Sequence, residues 1–195
     1  MEARSALRAL ALGGAALAVG ALTSAGPGRD LDVEAFAAGN RDRGPAADRF
    51  LRGVTELGSI WASVGAAFVL AATGRRRAAA RGLTAAAAAW VAGQGLKRMF
   101  LSPRPYDADL PDMTLRTGRP NGTSWPSSHP AVLLAFVTVA ARELEAGPGA
   151  RTALDLLAGA VGLSRVYVGV HYPSDVAGGL LLGKSVAAAL GRTRD

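Results

Sequence analysis

The chain has 195 residues, half of them hydrophobic, a mean hydropathy of +0.22 and a net charge of +7. That length suits one domain, and the absence of cysteine excludes a disulfide framework and a thiolate metal site. The charge admits nucleic acid, an anionic membrane surface or an anionic substrate; because the arginines are dispersed between apolar runs without interleaved aromatics, a nucleic-acid partner is set aside in favour of membrane plus anionic substrate.

A bilayer-spanning helix needs about 20 mostly apolar residues. The first such run is 6–25, interrupted by Arg8. It reads as a retained membrane helix, being long for the core of a secretory signal, which is the alternative. Residues 26–53 are polar and mixed in charge (Asp30, Asp32, Glu34, Arg41, Arg43, Asp48), as in a loop or surface helix. A second span is expected over 54–73, followed by Arg75, Arg76, Arg77 and Arg81. A third covers 78–96 and is only weakly hydrophobic at 85–89. A polar stretch rich in Pro, Gly, Asp and Arg occupies 97–128. Further spans are expected at 130–141, 152–169 and 176–190, and no internal repeat is visible. The fold class expected is all-α: an integral membrane bundle of about six transmembrane helices forming a single domain over 1–195.

Lysine and arginine set orientation. The densest short-loop cluster, 75–81, is placed in the cytoplasm, together with Arg4, Arg8, Arg142, Arg151, Arg192 and Arg194. With six spans, 97–128 and 164–175 then share the extracytoplasmic side, so the chemistry-bearing stretches can meet at one face.

The stretches 126–129 and 164–175 contain the two histidines of the chain, and 97–105 supplies cations to go with them. Lys97, Arg104 and Arg165 are candidates for a phosphate clamp: Arg offers a planar fork of donors matched to phosphate oxygens, and Lys a point charge. Taken alone, Lys97 and Arg104 are equally a basic loop flanking a membrane. Arg165 lies inside an apolar run, where an ionisable side chain is costly and usually faces a polar cavity. Ser127, Ser128 and His129 precede Pro130, so a helix N-terminus with free N–H groups is expected there, which suits phosphate as well as it suits an ordinary cap. Pro173 makes a continuous helix through His171 untenable and puts His171 on a turn. Asp175 then falls in a first helical turn, where its charge is favourable and its carboxylate can hold one imidazole nitrogen while the other is free to attack.

Lys97 with six intervening residues before Arg104-Pro105, Pro126-Ser127-Ser128-His129, and Ser164-Arg165 followed by His171 and Asp175 resemble, in order, the three signatures of the type 2 phosphatidic acid phosphatase (PAP2) superfamily. The resemblance covers roughly 50–190 and implies the helical core shared with the haloperoxidases. It implies a metal-independent, cofactor-free phosphatase working through a phosphohistidine. His171 would be the nucleophile, Asp175 its orienting group, and His129 the acid and then the base. Lys97, Arg104, Arg165, Ser127 and the Ser128 N–H would hold the phosphate. Ser128 stands where the family usually has glycine; it keeps the N–H but would be strained if the position required positive φ. Tyr106, Asp107, Asp109, Asp112, Arg116, Arg119 and Trp125 can shape head-group access, with Tyr106 and Trp125 read first as interface anchors.

The expectation is thus a lipid phosphatase in the plasma membrane with an extracytoplasmic site. Its substrate would be a polyprenyl diphosphate, phosphatidylglycerophosphate or phosphatidic acid, the first slightly preferred. The alternatives are a haloperoxidase, disfavoured by the short apolar chain, and a non-catalytic protein that binds or moves phospholipid.

Overall fold

Proline, glycine and capping residues punctuate the chain. The computed structural model describes residues 2–24, 26–108, 110 and 112–191. Its helices are α1 (Glu2–Ser24), α2 (Arg29–Gly39), α3 (Gly44–Glu56), α4 (Ile60–Ala72), α5 (Arg76–Phe100), α6 (Ser128–Glu143), α7 (Pro148–Tyr167) and α8 (Pro173–Ala189), with a 3-10 turn at Pro105–Asp107. No strand occurs among the described residues. Proline opens α7 and α8, where its missing N–H forfeits no helical bond. Asp109, Arg192 and Arg194 lie outside the described residues.

Five of the expected spans recur as helices; the second is broken. Residues 54–73 are cut between Glu56 and Ile60, Ser59 Oγ accepts from the Ala62 N–H (3.0 Å) to start α4 afresh, and the α3 and α4 axes differ by 64°. Close packing is the physical reason. A Cβ on Gly58 would lie 2.6 Å from Val161 Cγ1 and 2.7 Å from His129 Cβ, so the chain turns where it presses against α6 and α7. The polar segment 26–53 forms α2 and most of α3.

Among the described helices, α1 is by itself long and apolar enough to cross a bilayer (Ala3–Ser24, mean hydropathy 1.6), and α3 with α4 qualifies as one bent span. Helices α5 and α7 have the length, about 37 and about 30 Å, but their composition is diluted by charge and small residues. Helices α6 and α8, of 16 and 17 residues, are shorter. Length and hydropathy alone therefore do not reproduce the six spans.

Helix α6 is central: its residues from Pro130 to Val137 and from Val139 to Ala141 are buried against α5, α7 and α8. Small residues allow the close approach. Gly179 and Gly183 of α8 face the Ser127 and Ala131 carbonyls, which an added Cβ would meet at 2.3 and 2.6 Å. Helix α1 lies along α8, where the Ser185 hydroxyl donates to Ala9 O (2.8 Å). The outer faces expose Leu10, Trp61, Phe68, Val91 and Leu163. An apolar exterior this broad is foreign to a water-facing monomer.

The bundle has two distinct ends. At one, Arg77 and Arg81 pair with Glu143 (2.9 and 3.0 Å), and Arg81 donates to the last carbonyls after α8, Leu190 and Gly191. At the other, α2 and the loop after α5 close over the turn between α7 and α8. Asn40 donates to Thr114 O and Tyr167 O (2.9 and 2.8 Å) and accepts from the Thr114 N–H. Arg116 pairs with Asp48 (3.1 Å) and lies over the Tyr167 ring.

Replacing Gly179 by valine should force α8 off the Ser127 backbone and cost about 1–3 kcal/mol by overpacking. Gly159→Ala, with nothing within 4 Å of the new Cβ, should leave stability unchanged or slightly raised. Thermal unfolding in detergent checks both.

Candidate active site

Three segments meet at the closed end. The last turn of α5 carries Lys97, and Leu101, in the left-handed region (φ 45°), turns the chain out of that helix toward Arg104. The N-terminus of α6 carries Ser127, Ser128 and His129. The last turn of α7 carries Arg165, and the short turn 168–172 delivers His171 ahead of α8 and Asp175.

Each cation is buried and anchored. Lys97 Nζ donates to the Thr123 and Ser124 carbonyls, both at 2.7 Å. Arg104 donates through Nε to Gly122 O (2.8 Å) and through Nη1 to Val170 O (2.9 Å). Arg165 Nη1 donates to the Thr55 hydroxyl (2.8 Å), and its Nε is buried without a partner. Each side chain keeps at least one N–H free for a ligand, Arg165 the most. The Ser127 hydroxyl is also buried and unpartnered, while its backbone N–H donates to Asp175 O (2.9 Å).

His171 is 2% exposed. Arg104 Nη1 lies 3.3 Å from its Nε2, and a guanidinium can only donate, so Nε2 carries the lone pair. The ring proton is then on Nδ1, which donates to Asp175 Oδ2 at 3.1 Å. That is the tautomer a nitrogen nucleophile requires. Burial first, then the charges of Lys97, Arg104 and Arg165, and His129, hold the imidazole well below its ordinary value of 6.5, so it is neutral. Asp175 Oδ2 also accepts from the Tyr172 N–H (2.8 Å) and the Ser124 hydroxyl.

The expected site residues therefore come together. His129 sits in the first turn of α6, half-buried, and its imidazole has no hydrogen bond to the protein among the described residues. Ser128 opens α6 with its hydroxyl 3.5 Å from Gln94 Nε2, and it is absent from the positive-φ positions, so serine in place of the family's glycine is not strained. Trp125 corrects an expectation. It is fully buried, packed on Phe100 with ring centroids 4.2 Å apart, and belongs to the core rather than to a membrane interface. Tyr106 bonds Pro120 O (2.8 Å) inside the loop.

Four participants carried no signal in the sequence. Ser124 bonds Asp175, and Thr55 bonds Arg165. Asp32 accepts from the Ser174 N–H (2.8 Å) and from the Ser174 hydroxyl at the start of α8. Arg29 donates to the Tyr172 hydroxyl (2.7 Å). Asp32, one of several acids in the polar segment 26–53, proves 7% exposed.

Comparison with known proteins agrees with this geometry. Residues 78–194 match the model of the PAP2 superfamily. A decaprenylphosphoryl-5-phosphoribose phosphatase of Mycolicibacterium smegmatis is 35% identical over 61% of this chain and 62% of its own length. The Mycobacterium tuberculosis protein of the same name is 40% identical over 48% of each. The chain thus matches about half to three-fifths of the length of these relatives. Among solved structures, Aquifex aeolicus LpxE superposes with a TM-score of 0.70 at 30% identity, covering 80% of this chain and 92% of that one. A transmembrane PAP2-type phosphatidylglycerolphosphate phosphatase from Bacillus subtilis gives 0.75 at 22% identity, covering 94% of each, which is a likeness of fold. With three signatures gathered at one end of an all-helical bundle and a family match over more than half its length, the chain belongs to the PAP2 superfamily.

Proposed function

We propose that this chain is a single-domain membrane phosphatase that removes a phosphate from a lipid phosphate or diphosphate through a phosphohistidine. The observation that carries the reading is the His171 imidazole: neutral, with Nδ1–H on Asp175 and its Nε2 lone pair beside the Arg104 guanidinium. A phosphoryl group held by Lys97, Arg104, Arg165, Ser127 and the free N–H groups at the start of α6 would lie against that nitrogen. Burial and then Arg165, Arg104 and Lys97 keep His129 neutral before substrate binds, and the bound phosphate dianion, by offsetting those cations, lets it take up a proton. Nε2 attacks phosphorus, the bond from phosphorus to the lipid oxygen breaks, and protonated His129 gives its proton to the departing oxygen. His129 then takes a proton from water, the water oxygen attacks phosphorus, the P–N bond breaks with its electron pair returning to Nε2, and inorganic phosphate leaves. Charge neutralisation and positioning, the main demands of phosphoryl transfer, fall to the three cations.

The same reading makes the bundle a six-span protein of the plasma membrane, with the Arg77 and Arg81 end in the cytoplasm and the site on the opposite face. Its apolar exterior and the distribution of basic residues support this. The lipid tail would stay in the bilayer while the phosphate enters the cationic end. A polyprenyl-linked phosphate is preferred over phosphatidylglycerophosphate or phosphatidic acid, since the curated relatives reported above are named for a decaprenyl-linked sugar phosphate.

Detergent-purified protein offered these lipids in EDTA should release phosphate from one of them, because cationic side chains supply the neutralisation. His171→Ala should abolish release. His129→Ala should slow it by about 10²–10⁴. Vanadate should inhibit by occupying a pocket shaped for five-coordinate phosphorus. No release by folded protein from any of the lipids would shift the assignment to lipid binding or transport. A separate outcome concerns pH. In the folded chain His171 should remain neutral well below the ordinary imidazole value of 6.5, because burial and then the charges of Lys97, Arg104 and Arg165 disfavour its protonated form. The unfolded chain binds that proton near 6.5 and the folded chain does not, so His171 contributes stability above that pH that is lost on acidification. A ¹⁵N-histidine spectrum, with only two imidazoles to assign, reads the titration directly.

A further inference from the structure

We infer that Ser124 is a positioning residue for the His171 nucleophile, acting through Asp175; the inference rests on the phosphatase reading above. Ser124 lies in the loop ahead of α6 and is fully buried. Its three polar groups reach all parts of the site. The backbone N–H donates to Ser102 O (2.8 Å), between Lys97 and Arg104 in sequence. Its carbonyl accepts from Lys97 Nζ (2.7 Å). Its hydroxyl donates to Asp175 Oδ2 and lies 3.5 Å from His171 Nδ1.

The direction of each bond follows from chemistry. An ionised carboxylate oxygen only accepts, so the one hydroxyl proton points at Oδ2. The hydroxyl lone pairs are then left facing the Nδ1–H of His171, which has Oδ2 as first acceptor and Ser124 Oγ as a longer second one. Oδ2, Oγ and Nδ1 form a closed triangle. A carboxylate rotates easily about its terminal torsion. Tyr172 N–H and Ser124 Oγ–H arrive at one oxygen from two separate chain segments and together fix it. With Oδ2 fixed, the imidazole plane and tautomer are fixed, and Nε2 is held toward the cations. Removal of the hydroxyl leaves a buried carboxylate one donor short and loosens the bond from Nδ1–H to Oδ2, while Arg104 still holds the lone pair on Nε2. The backbone contacts of residue 124 to Ser102 and Lys97 survive that change, so alanine isolates the hydroxyl.

The experiment compares full-length Ser124→Ala with the wild type in detergent. Turnover number should fall about tenfold or more, the size of one hydrogen bond to a charged group, with KM within about twofold. In the ¹⁵N-histidine spectrum the His171 Nδ1–H signals should shift as the bond to Oδ2 loosens, while those of His129 stay in place and report that the fold is intact. Unchanged turnover, or a fall in turnover with the His171 signals unmoved, would overturn the assignment. The spectrum needs no substrate, so it tests Ser124 even if the wild type releases no phosphate, an outcome that would count against the phosphatase reading alone.

Discussion

Asp175 Oδ2 is the atom on which the closed end of the bundle converges. It accepts from the Tyr172 N–H at the start of α8, from Ser124 ahead of α6 and from His171 in the turn after α7. A buried carboxylate is expensive unless several donors satisfy it, so these segments are obliged to meet at one place. The same anion stands among three buried cations. Lys97, Arg104 and Arg165 carry more positive charge than Asp175 can offset, and their hydrogen bonds go to backbone carbonyls, the Thr55 hydroxyl and the His171 ring rather than to a carboxylate. A pocket left electropositive in this way has an unfilled demand for an anion, which a phosphoryl group would meet. Helix termini add to the demand: α6 points its free N–H groups at the site, and the C-terminal ends of α5 and α7 deliver cations to it, where a helix end favours them.

The backbone chemistry of the chain set what the sequence could disclose. Lys97, Arg104, Arg165, His129, His171 and Asp175 stand out because together they fit an ordered set of spacings and each sits near a proline or a helix end. Their spacing is fixed by local geometry, so it survives as a pattern. Ser124, Thr55 and Asp32 act across long sequence separations, and a serine or threonine in a loop is ordinary. Only the tertiary fold reveals that their hydroxyl or carboxylate groups are buried. Trp125 was misread for a related reason. A tryptophan beside a polar loop in a membrane protein usually marks the interface, but here Gly20 and Gly178 leave room for the ring between α1 and α8. The break between α3 and α4 was hidden because Gly58 and Ser59 lie in an apolar run that reads as continuous. What bends it is the nearness of His129, which hydropathy does not register.

Packing by small residues has a consequence for precision. Glycine at the α8 positions that touch Ser127 and Ala131 brings α8 backbone to backbone with the start of α6. The two elements that carry His129 and Asp175 are thereby held at a distance set by main-chain contact, with no flexible side chain between them. Where catalytic groups need placement to within about half an ångström, such contacts are better supports than long side chains.

Helix α2 precedes the stretch that matches the family model, 78–194, yet it braces the turn bearing His171 at both ends: Asn40 bonds Tyr167 O, while Arg29 and Asp32 bond Tyr172 and Ser174. The boundary of the family model and the boundary of the working unit therefore do not coincide. A graft or minimal version cut at the family boundary would keep every signature residue and lose the scaffolding that gives His171 its orientation. The unit that must be inherited or transplanted together begins no later than Arg29.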